Sequence, residues 1–216
     1  MTSRELSIVV PVRNGMPYLP EAIASALADM PDDAELIVRD NRSTDGTAAW
    51  LATLRDPRVR VITGTEDLTA GENWTAVVQE ATGEFVKLLC ADDFDTPGAI
   101  GRQLAAARES GAVMVASRRR VVDGDDRVVM PSHGLGGLIG VRGGSDALAH
   151  SVSSGTSAFG EPSVGLIRRD AVLLSLAELP DGGLRVVMDD LRQTGEPGHW
   201  KHSVFVTLRD YAAGLG

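Results

Sequence analysis

In the stretch Phe85-Val86-Lys87-Leu88-Leu89-Cys90-Ala91-Asp92-Asp93, an apolar run leads directly into two adjacent carboxylates. The run predicts a buried strand, and in an open parallel sheet ligands bind at the carboxyl ends of the strands. Two neighbouring carboxylates can hold a divalent cation such as Mg²⁺ or Mn²⁺ and can also hydrogen-bond a sugar hydroxyl. The alternative is that Asp92 and Asp93 only begin a loop before Pro97. The favoured ligand class is a nucleotide diphosphate, whose phosphates would bind the same cation.

Similar apolar runs alternate with helical patterns along the first half of the chain. Strands are predicted at residues 6–10, 36–38, 59–62 and 85–89, and helices at residues 18–28, 46–54 and 72–81. This alternation predicts an α/β fold with a mostly parallel twisted sheet, flanked by helices and joined by right-handed crossovers. Asp45 is expected to accept a hydrogen bond from the first amides of the second helix. Gly83 is expected to end the third helix in a left-handed conformation.

Polar loops follow three of the predicted strands, so the topology brings them to one edge of the sheet. These loops are residues 11–14, residues 40–44 and the acidic pair. Asp40 can accept a hydrogen bond from the N3–H of a uracil or thymine ring, and Asn41 can both donate and accept. Both side chains also form local turns readily, which is the alternative explanation. The sequence has no G-x-x-x-x-G-K-[ST] motif and no G-x-G-x-x-G after the first strand, which disfavours a P-loop phosphotransferase and a dinucleotide oxidoreductase.

Composition and charge narrow the class of protein further. The 216 residues are 43% hydrophobic, enough for a substantial core, and one domain covering residues 1–216 is expected. With 21 Lys and Arg against 30 Asp and Glu, the formal net charge is -9, which disfavours a nucleic acid partner. Cys90 is the single cysteine, so an intramolecular disulfide is excluded and a reducing compartment suits the chain.

Neither an export signal nor a membrane span is predicted. The apolar run at residues 6–12 is shorter than the core of a signal peptide and than the roughly 20 apolar residues of a transmembrane helix. We therefore expect a cytoplasmic protein without a transmembrane segment. Peripheral attachment to a membrane, through a partner or a lipid substrate, is left open.

Three segments of the chain resemble, in order and spacing, the signature segments of family 2 glycosyltransferases of the GT-A fold. They are Val9-Val10-Pro11-Val12-Arg13-Asn14-Gly15, Asp40-Asn41-Arg42-Ser43-Thr44-Asp45-Gly46-Thr47 and Ala81-Thr82-Gly83-Glu84 running into the acidic stretch. The likeness covers about the first 105 residues and continues more thinly through residues 160–169. Each segment is a weak signal alone, whereas the ordered set is specific.

The resemblance implies a hexosyltransferase-like enzyme that moves a sugar from a nucleotide diphosphate sugar to an acceptor hydroxyl, with inversion. It also implies a Rossmann-like nucleotide-binding half, residues 1–105, and an acceptor half, residues 106–216. By the same resemblance Pro11, Val12 and Asn14 line the nucleoside pocket, Asp40 and Asn41 touch the base, Asn73 lies near the nucleotide, and Asp92 and Asp93 hold the ribose hydroxyl and the metal, Mn²⁺ or Mg²⁺.

An inverting transfer also needs a general base that takes the proton from the acceptor hydroxyl. The segment Met188-Asp189-Asp190-Leu191-Arg192 is the best match to the base-bearing segment of the family, so the resemblance implies Asp190 or Asp189. Glu161 is a weaker candidate. The alternative for the two aspartates is a place in the first turn of a helix, where the helix dipole favours acids.

The same resemblance implies the partners of the chain and bears on two alternative functions. The implied donor is a UDP, dTDP or GDP sugar, and the acceptor is a glycan, a lipid-linked molecule or a small molecule, with a homo-oligomer left open. The family often has an acid in place of Cys90 and a glycine in place of Arg42. The first departure favours the alternative of a catalytically silent relative that binds a nucleotide sugar or a protein. A nucleotidyltransferase is disfavoured because residues 11–17 supply only Arg13 for a triphosphate.

Overall fold

The computed structural model describes residues 4–135, 139–154, 161–177, 186–188 and 204–206. The chain forms β1 (Leu6–Val12), α1 (Leu19–Asp29), β2 (Glu35–Asp40), α2 (Thr47–Leu51), β3 (Val59–Thr63), α3 (Ala70–Gln79), β4 (Phe85–Leu88), α4 (Ala99–Ser110), β5 (Met114–Ala116), β6 (Arg119–Val122), β7 (Val128–His133), α5 (Gly144–Ser154), β8 (Gly165–Arg168), α6 (Arg169–Ala177), β9 (Val186–Met188) and β10 (Val204–Val206).

The main sheet has six strands in the order β3-β2-β1-β4-β8-β5. The strands β1 to β4 are mutually parallel where they pair, and β8 runs antiparallel to β4. Helices connect the four parallel strands, as parallel pairing requires. The predicted α/β fold with a mostly parallel sheet flanked by helices is therefore confirmed.

The chain divides into two compact units. The first comprises Met1–Val115 and Gly165–Leu184, and the second comprises Ala116–Val164 and Arg185–Gly216. Among the described residues, the second unit contains the antiparallel pair β6 and β7 and the antiparallel pair β9 and β10. The expected single domain with a division near residue 105 stays a prediction.

The core of the first unit covers both faces of β1, and every residue of this strand is buried. The side chains of Ile8 and Val10 pack with Leu19 and Ile23 of α1. Val9 points to the other face, where it packs with residues of α3. An unbroken apolar strand is typical of a parallel sheet covered on both sides. Fully burying each of these side chains contributes about 1.5–3 kcal/mol.

Several element ends differ from the sequence-based expectation; α2, for example, ends at Leu51 and not at residue 54. The helix α3 begins at Ala70, earlier than expected, because Thr69 accepts a hydrogen bond from the Glu72 amide and Glu72 bonds back to Thr69. Gly83 is not left-handed, so the expected C-terminal role is wrong. Its added Cβ would lie 2.6 Å from both the Leu6 carbonyl carbon and the Ser7 nitrogen. Glycine stands there because two backbones approach each other closely.

Candidate functional site

The carboxyl ends of β1, β2 and β4 form one rim of the sheet. Asp40, the last residue of β2, pairs in register with Val12 at the end of β1. On the other side, β1 neighbours β4, and Leu89 donates its amide to Val9 at 2.9 Å just after β4 ends. The helices α1 and α3 pack on opposite faces of β1. The crevice between β1 and β4 is therefore a topological switch point, the usual ligand position in such sheets.

The loops after β1 and β2 are joined by side-chain to backbone hydrogen bonds. The Oδ1 of Asn14 accepts the Thr44 amide at 2.8 Å, and the Asn14 amide donates to the Ser43 hydroxyl at 2.8 Å. Asn14 has a φ of 56°, a left-handed conformation that asparagine adopts more readily than most residues. Asn14 therefore fixes the shape of both loops.

Asp45 makes the second connection between these loops. One carboxylate oxygen accepts the Met16 amide at 2.9 Å, and the other accepts the Thr47 amide at 3.1 Å and the Thr47 hydroxyl at 2.6 Å. The hydrogen bond from the Thr47 hydroxyl is the main reason that the pKa of Asp45 lies below its ordinary value. The prediction that Asp45 accepts an amide of the α2 start is confirmed.

Asp40 and Asn41 are buried at the end of β2, each 2% exposed. The Oδ1 of Asp40 accepts the amide of Ser43 at 3.1 Å and its hydroxyl at 2.6 Å, a local turn. The side chain of Asn41 pairs with the Leu68 backbone, donating at 2.7 Å and accepting at 3.1 Å. The turn-forming role considered from the sequence is thus present for Asp40. Contacts of these two residues with a nucleotide base stay a prediction.

The other candidate nucleotide-binding residues lie close to the core. Pro11 and Val12 are buried in β1. Val12 is 2% exposed as a whole residue, and its side chain packs with the α1 side of the core. Asn73 of α3 is 4% exposed, and its Oδ1 accepts a hydrogen bond from Arg39 of β2. Asn73 therefore ties α3 to the sheet. Sequence reasoning did not find this structural contact, because it joins two elements far apart in the chain.

Two arginines on the rim converge on one acid. Arg42, with a φ of 57°, contacts Asp67 at 2.8 Å, and Arg13 contacts the other oxygen of Asp67 at 3.4 Å. All three side chains are about half exposed. The departure of Arg42 from the family pattern is therefore accommodated by Asp67, and two cations border the loops after β1 and β2.

Asp92 and Asp93 follow the end of β4 after three residues and are both partly buried. The Asp93 amide donates to the Cys90 carbonyl at 3.1 Å, which closes a tight turn at the pair. Within the part of the chain that the structure describes, no group of three or more His, Cys, Asp or Glu side chains could hold a metal ion. The oxygen donors of the pair suit Mg²⁺ or Mn²⁺, which commonly bind one or two carboxylates together with substrate phosphates.

Between β4 and the loop that carries the acidic pair there is a buried ion pair that sequence reasoning missed. Lys87 of β4 is fully buried, and its Nζ lies 3.1 Å from Asp95 Oδ1 and 3.4 Å from Gln103 Oε1. The Oδ2 of Asp95 is buried without a hydrogen-bond partner. Burial raises the pKa of Asp95, and the charge of Lys87 opposes that rise. The available signal was a lysine inside an otherwise apolar strand.

Of the three candidate general bases, only Glu161 lies within the described residues. Asp189 and Asp190 lie outside the described residues. Glu161 belongs to the second unit, where its carboxylate lies 3.2 Å from Arg119 and both side chains are largely buried. The roles proposed from sequence for these three acids stay predictions.

Comparison with known structures identifies the fold. Structures of TarS from S. aureus in complex with UDP and with UDP-GlcNAc align with TM-scores of 0.61 and 0.60, at 20% and 21% identity. Each alignment covers 79% of this chain and 48% or 46% of TarS. These neighbours are GT-A glycosyltransferases, and the shared architecture gives this chain the GT-A fold.

The family model described as glycosyl transferase family 2 matches residues 7–172, and the chain belongs to this family. The succinoglycan biosynthesis protein ExoO of Rhizobium meliloti is 32% identical over 123 residues, which is 57% of this chain and 35% of ExoO. An uncharacterized glycosyltransferase of Nostoc is 28% identical over 127 residues, 39% of its length. The chain therefore spans little more than a third of these relatives. Among the described helices, none has both the length and the apolarity needed to cross a membrane.

Proposed function

We propose that this chain binds the donor in a metal-assisted, inverting glycosyl transfer from a nucleotide diphosphate sugar to an acceptor hydroxyl. The observation that carries the proposal is the Asp92–Asp93 pair at the carboxyl end of β4, beside the loop that follows β1. Membership in glycosyl transferase family 2 supports the reaction class. We retain the hexosyltransferase-like reaction as the specific form.

In this proposal Asp92 and Asp93 hold the ribose hydroxyl of the donor and a divalent cation, Mn²⁺ or Mg²⁺. The cation would neutralise charge on the diphosphate leaving group. Pro11, Val12 and Asn14 border the nucleoside; Pro11 and Val12 are buried, so the exposed Asn14 offers the accessible surface of this border. The hydrogen bonds of Asn14 keep this border in one conformation before the donor arrives.

Base recognition is assigned to Asp40 and Asn41, with Asn73 near the nucleotide. An ionised carboxylate offers only acceptors, so Asp40 suits the N3–H of uracil or thymine. Its turn with Ser43 uses Oδ1. Uridine nucleotides are the first to test because the aligned TarS structures contain UDP and UDP-GlcNAc, with dTDP and GDP as alternatives.

The chemical step is assigned to Asp190 or Asp189 as general base. The carboxylate accepts the proton of the acceptor hydroxyl while the oxygen attacks the anomeric carbon from the face opposite the diphosphate. The bond from the anomeric carbon to the diphosphate oxygen breaks as the new glycosidic bond forms, so the configuration inverts. The acceptor is a glycan, a lipid-linked molecule or a small molecule, and we leave a homo-oligomer as a prediction.

Calorimetric titration tests the donor site. The purified chain is titrated with UDP, dTDP and GDP, each with and without Mn²⁺. We expect one nucleotide to bind more tightly with Mn²⁺, and we expect Asp92→Asn or Asp93→Asn to reduce that metal-dependent gain about tenfold or more. The matched control is Asp33→Asn, which removes an exposed carboxylate just before β2, at the opposite edge of the sheet. If none of the three nucleotides binds, the proposal is wrong.

Turnover separates the enzyme from a silent relative. Asp190→Asn and Asp189→Asn are assayed for transfer and for hydrolysis of the donor that binds. Loss of turnover in one variant, with nucleotide affinity unchanged, is the expected result for a general base. Donor binding without turnover in the wild type, across all acceptor classes tried, would instead support the alternative of a binding module.

A further inference from the structure

The buried ion pair formed by the lysine of β4 is not explained by a contribution to the stability of the sheet. Lys87 has a side-chain exposure of 0% and Asp95 of 10%, and their charged atoms lie 3.1 Å apart. Removing two charges from water costs free energy that their attraction repays only in part, and an apolar pair of similar volume is often at least as stable. The Asp95 Oδ2 atom adds a further cost because it is buried without a hydrogen-bond partner. The pair therefore calls for an explanation other than stability.

The position of the Lys87–Asp95 ion pair suggests an explanation. Lys87 lies in β4, and Asp95 follows the acidic pair by two residues, in residues 92–98, which we name the acidic segment. The ion pair therefore connects the acidic segment to β4 at a residue two positions after Asp93. Gln103 of α4 also contacts the Lys87 ammonium, at 3.4 Å, which connects the same point to the next helix.

The helix α1 also binds the acidic segment through hydrogen bonds. The Ser25 hydroxyl accepts the Asp95 amide at 3.1 Å. The two carboxylate oxygens of Asp29 accept the amides of Gly98 and Ile100, each at 2.7 Å. Ser25 and Asp29 are four residues apart, so they lie on one face of α1. One helix face therefore fixes the middle and the end of the acidic segment.

We propose that Lys87 and Asp95, supported by Ser25 and Asp29, are positioning residues that set the geometry of the Asp92–Asp93 carboxylates toward the cation. The inference rests on the proposed function and assigns no contact with substrate to Lys87 or Asp95. Outer contacts that orient metal ligands affect metal affinity strongly, and Mg²⁺ tolerates little deviation from octahedral geometry.

Three variants test the positioning role. Lys87→Met and Asp95→Asn each break the pair, and the double variant removes both charges together. The double variant guards against misfolding, because a lone buried charge is more damaging than the loss of both partners. For each variant, UDP affinity is measured calorimetrically with and without Mn²⁺. We expect the Mn²⁺-dependent gain to fall about tenfold or more, while UDP affinity without metal changes less than about twofold.

A second measurement follows the segment itself. Amide hydrogen exchange is compared between the wild type and the double variant, at Asp95 and Gly98 of the acidic segment and at Val9 of β1. The expected result is exchange about tenfold faster at the two segment amides with little change at Val9, because local opening has its own free energy. A merely structural role would instead accelerate all three amides together, which overturns the proposal.

The control is Glu35→Gln, at the opposite edge of the sheet. Glu35 bonds to Ser7 and Thr82, so this variant perturbs folding without touching the acidic segment. Its Mn²⁺-dependent gain is expected to match that of the wild type. A double variant with the full wild-type gain refutes the positioning role alone, whereas a wild type that binds no nucleotide refutes the proposed function.

Discussion

Gly83 lies against the backbone of β1 at a point where a side chain has no room. An added Cβ would lie 2.6 Å from both the Leu6 carbonyl carbon and the Ser7 nitrogen. The Gly83 amide also donates to the Ser7 hydroxyl at 2.8 Å, so the two backbones cannot separate without losing this hydrogen bond. The requirement for glycine at this residue is steric, since its φ is not in the left-handed region.

We predict that Gly83→Ala lowers the free energy of unfolding by about 1–3 kcal/mol, because the methyl group forces a backbone shift in a packed region. Urea unfolding followed by circular dichroism measures the change. The matched control is Gly101→Ala in α4, where an added Cβ meets nothing within 4 Å. This control is expected to gain about 0.5–1 kcal/mol, since alanine favours helix over glycine. Equal effects of the two substitutions would contradict the steric explanation.

The sequence showed a glycine after the third helix but not its reason. A helix end and a close backbone approach both select glycine, and only the second involves Leu6, which is far away in the sequence. The same holds for Asn41, whose side chain bonds to Leu68, and for Lys87, whose partner follows the acidic pair. The residue types therefore predicted that polar groups line the rim of the sheet. The hydrogen-bond and ion-pair partners of each side chain depended on which loops the fold brings together.

At the scale of elements, the start of α3 is set by a capping box. The Thr69 hydroxyl accepts the Glu72 amide at 3.3 Å, and the Glu72 carboxylate accepts the Thr69 amide at 2.8 Å. The hydrogen bond from the Thr69 amide is the main reason that the pKa of Glu72 lies below its ordinary value. This helix carries Asn73, which is bonded to Arg39 of β2. The cap thus fixes where a candidate site residue emerges.

Thr69→Ala is expected to destabilise the protein by about 1 kcal/mol, because the substitution leaves a helix amide without its side-chain acceptor. Thr69→Ser keeps the hydroxyl and is expected to retain most of the stability. Chemical denaturation of the three proteins measures the difference. If serine and alanine destabilise equally, the loss comes from the methyl group of Thr69 and not from the cap.

Periodicity predicted the existence and order of the first four strands and three helices, but not all their ends. The apolar run of β2 ends at Val38, yet the strand continues to Asp40 because Arg39 and Asp40 pair with both neighbouring strands. Likewise α3 starts earlier than its apolar pattern, since the capping signal T-x-x-E that begins at Thr69 sets the helix start. Element ends depend on caps and strand pairing, which a periodic pattern does not report.

At the scale of the whole molecule, one carboxylate joins three segments at the edge opposite the candidate site. Glu35 begins β2 and is 6% exposed. Its Oε1 accepts the Ser7 hydroxyl at 2.7 Å, the Thr82 hydroxyl at 2.6 Å and the Thr82 amide at 2.9 Å. Burial alone would raise the pKa of Glu35, but the hydrogen bonds from Ser7 and Thr82 outweigh it and hold the pKa below its ordinary value of 4.5.

This lowered pKa predicts a pH-dependent stability. The unfolded chain binds the Glu35 proton more tightly than the folded protein, so the stabilisation is complete above about pH 4.5 and is lost as the pH falls through the folded pKa. Glu35→Gln is therefore expected to be less stable near neutral pH and to lose less stability on acidification. Urea unfolding between about pH 6 and about pH 3 tests the difference.

The control for the acid series is Glu66→Gln, which removes one exposed carboxyl from the loop after β3. Its stability is expected to follow the wild-type pH dependence. If Glu35→Gln also follows the wild-type slope below pH 4.5, the hydrogen-bonded Glu35 network does not contribute to acid stability.

The sequence by itself determined the class of fold, the edge of the sheet that carries the candidate site, and the family resemblance. Strand and helix periodicities are local properties, and parallel strands bring their carboxyl ends to one edge whatever the loops contain. Only the tertiary structure decided that Asn14 and Asp45 join two loops, that Asn73 bonds to Arg39, and that Lys87 and Asp95 form a buried ion pair. The contacts of Asn14, Asp45 and Asn73 join residues far apart in the chain, and a side chain meets such a partner only after the crossovers and the packing of α1 and α3 have set the distances. Lys87 and Asp95 are close in the sequence, but a periodic pattern does not report that the loop after β4 turns back onto the strand.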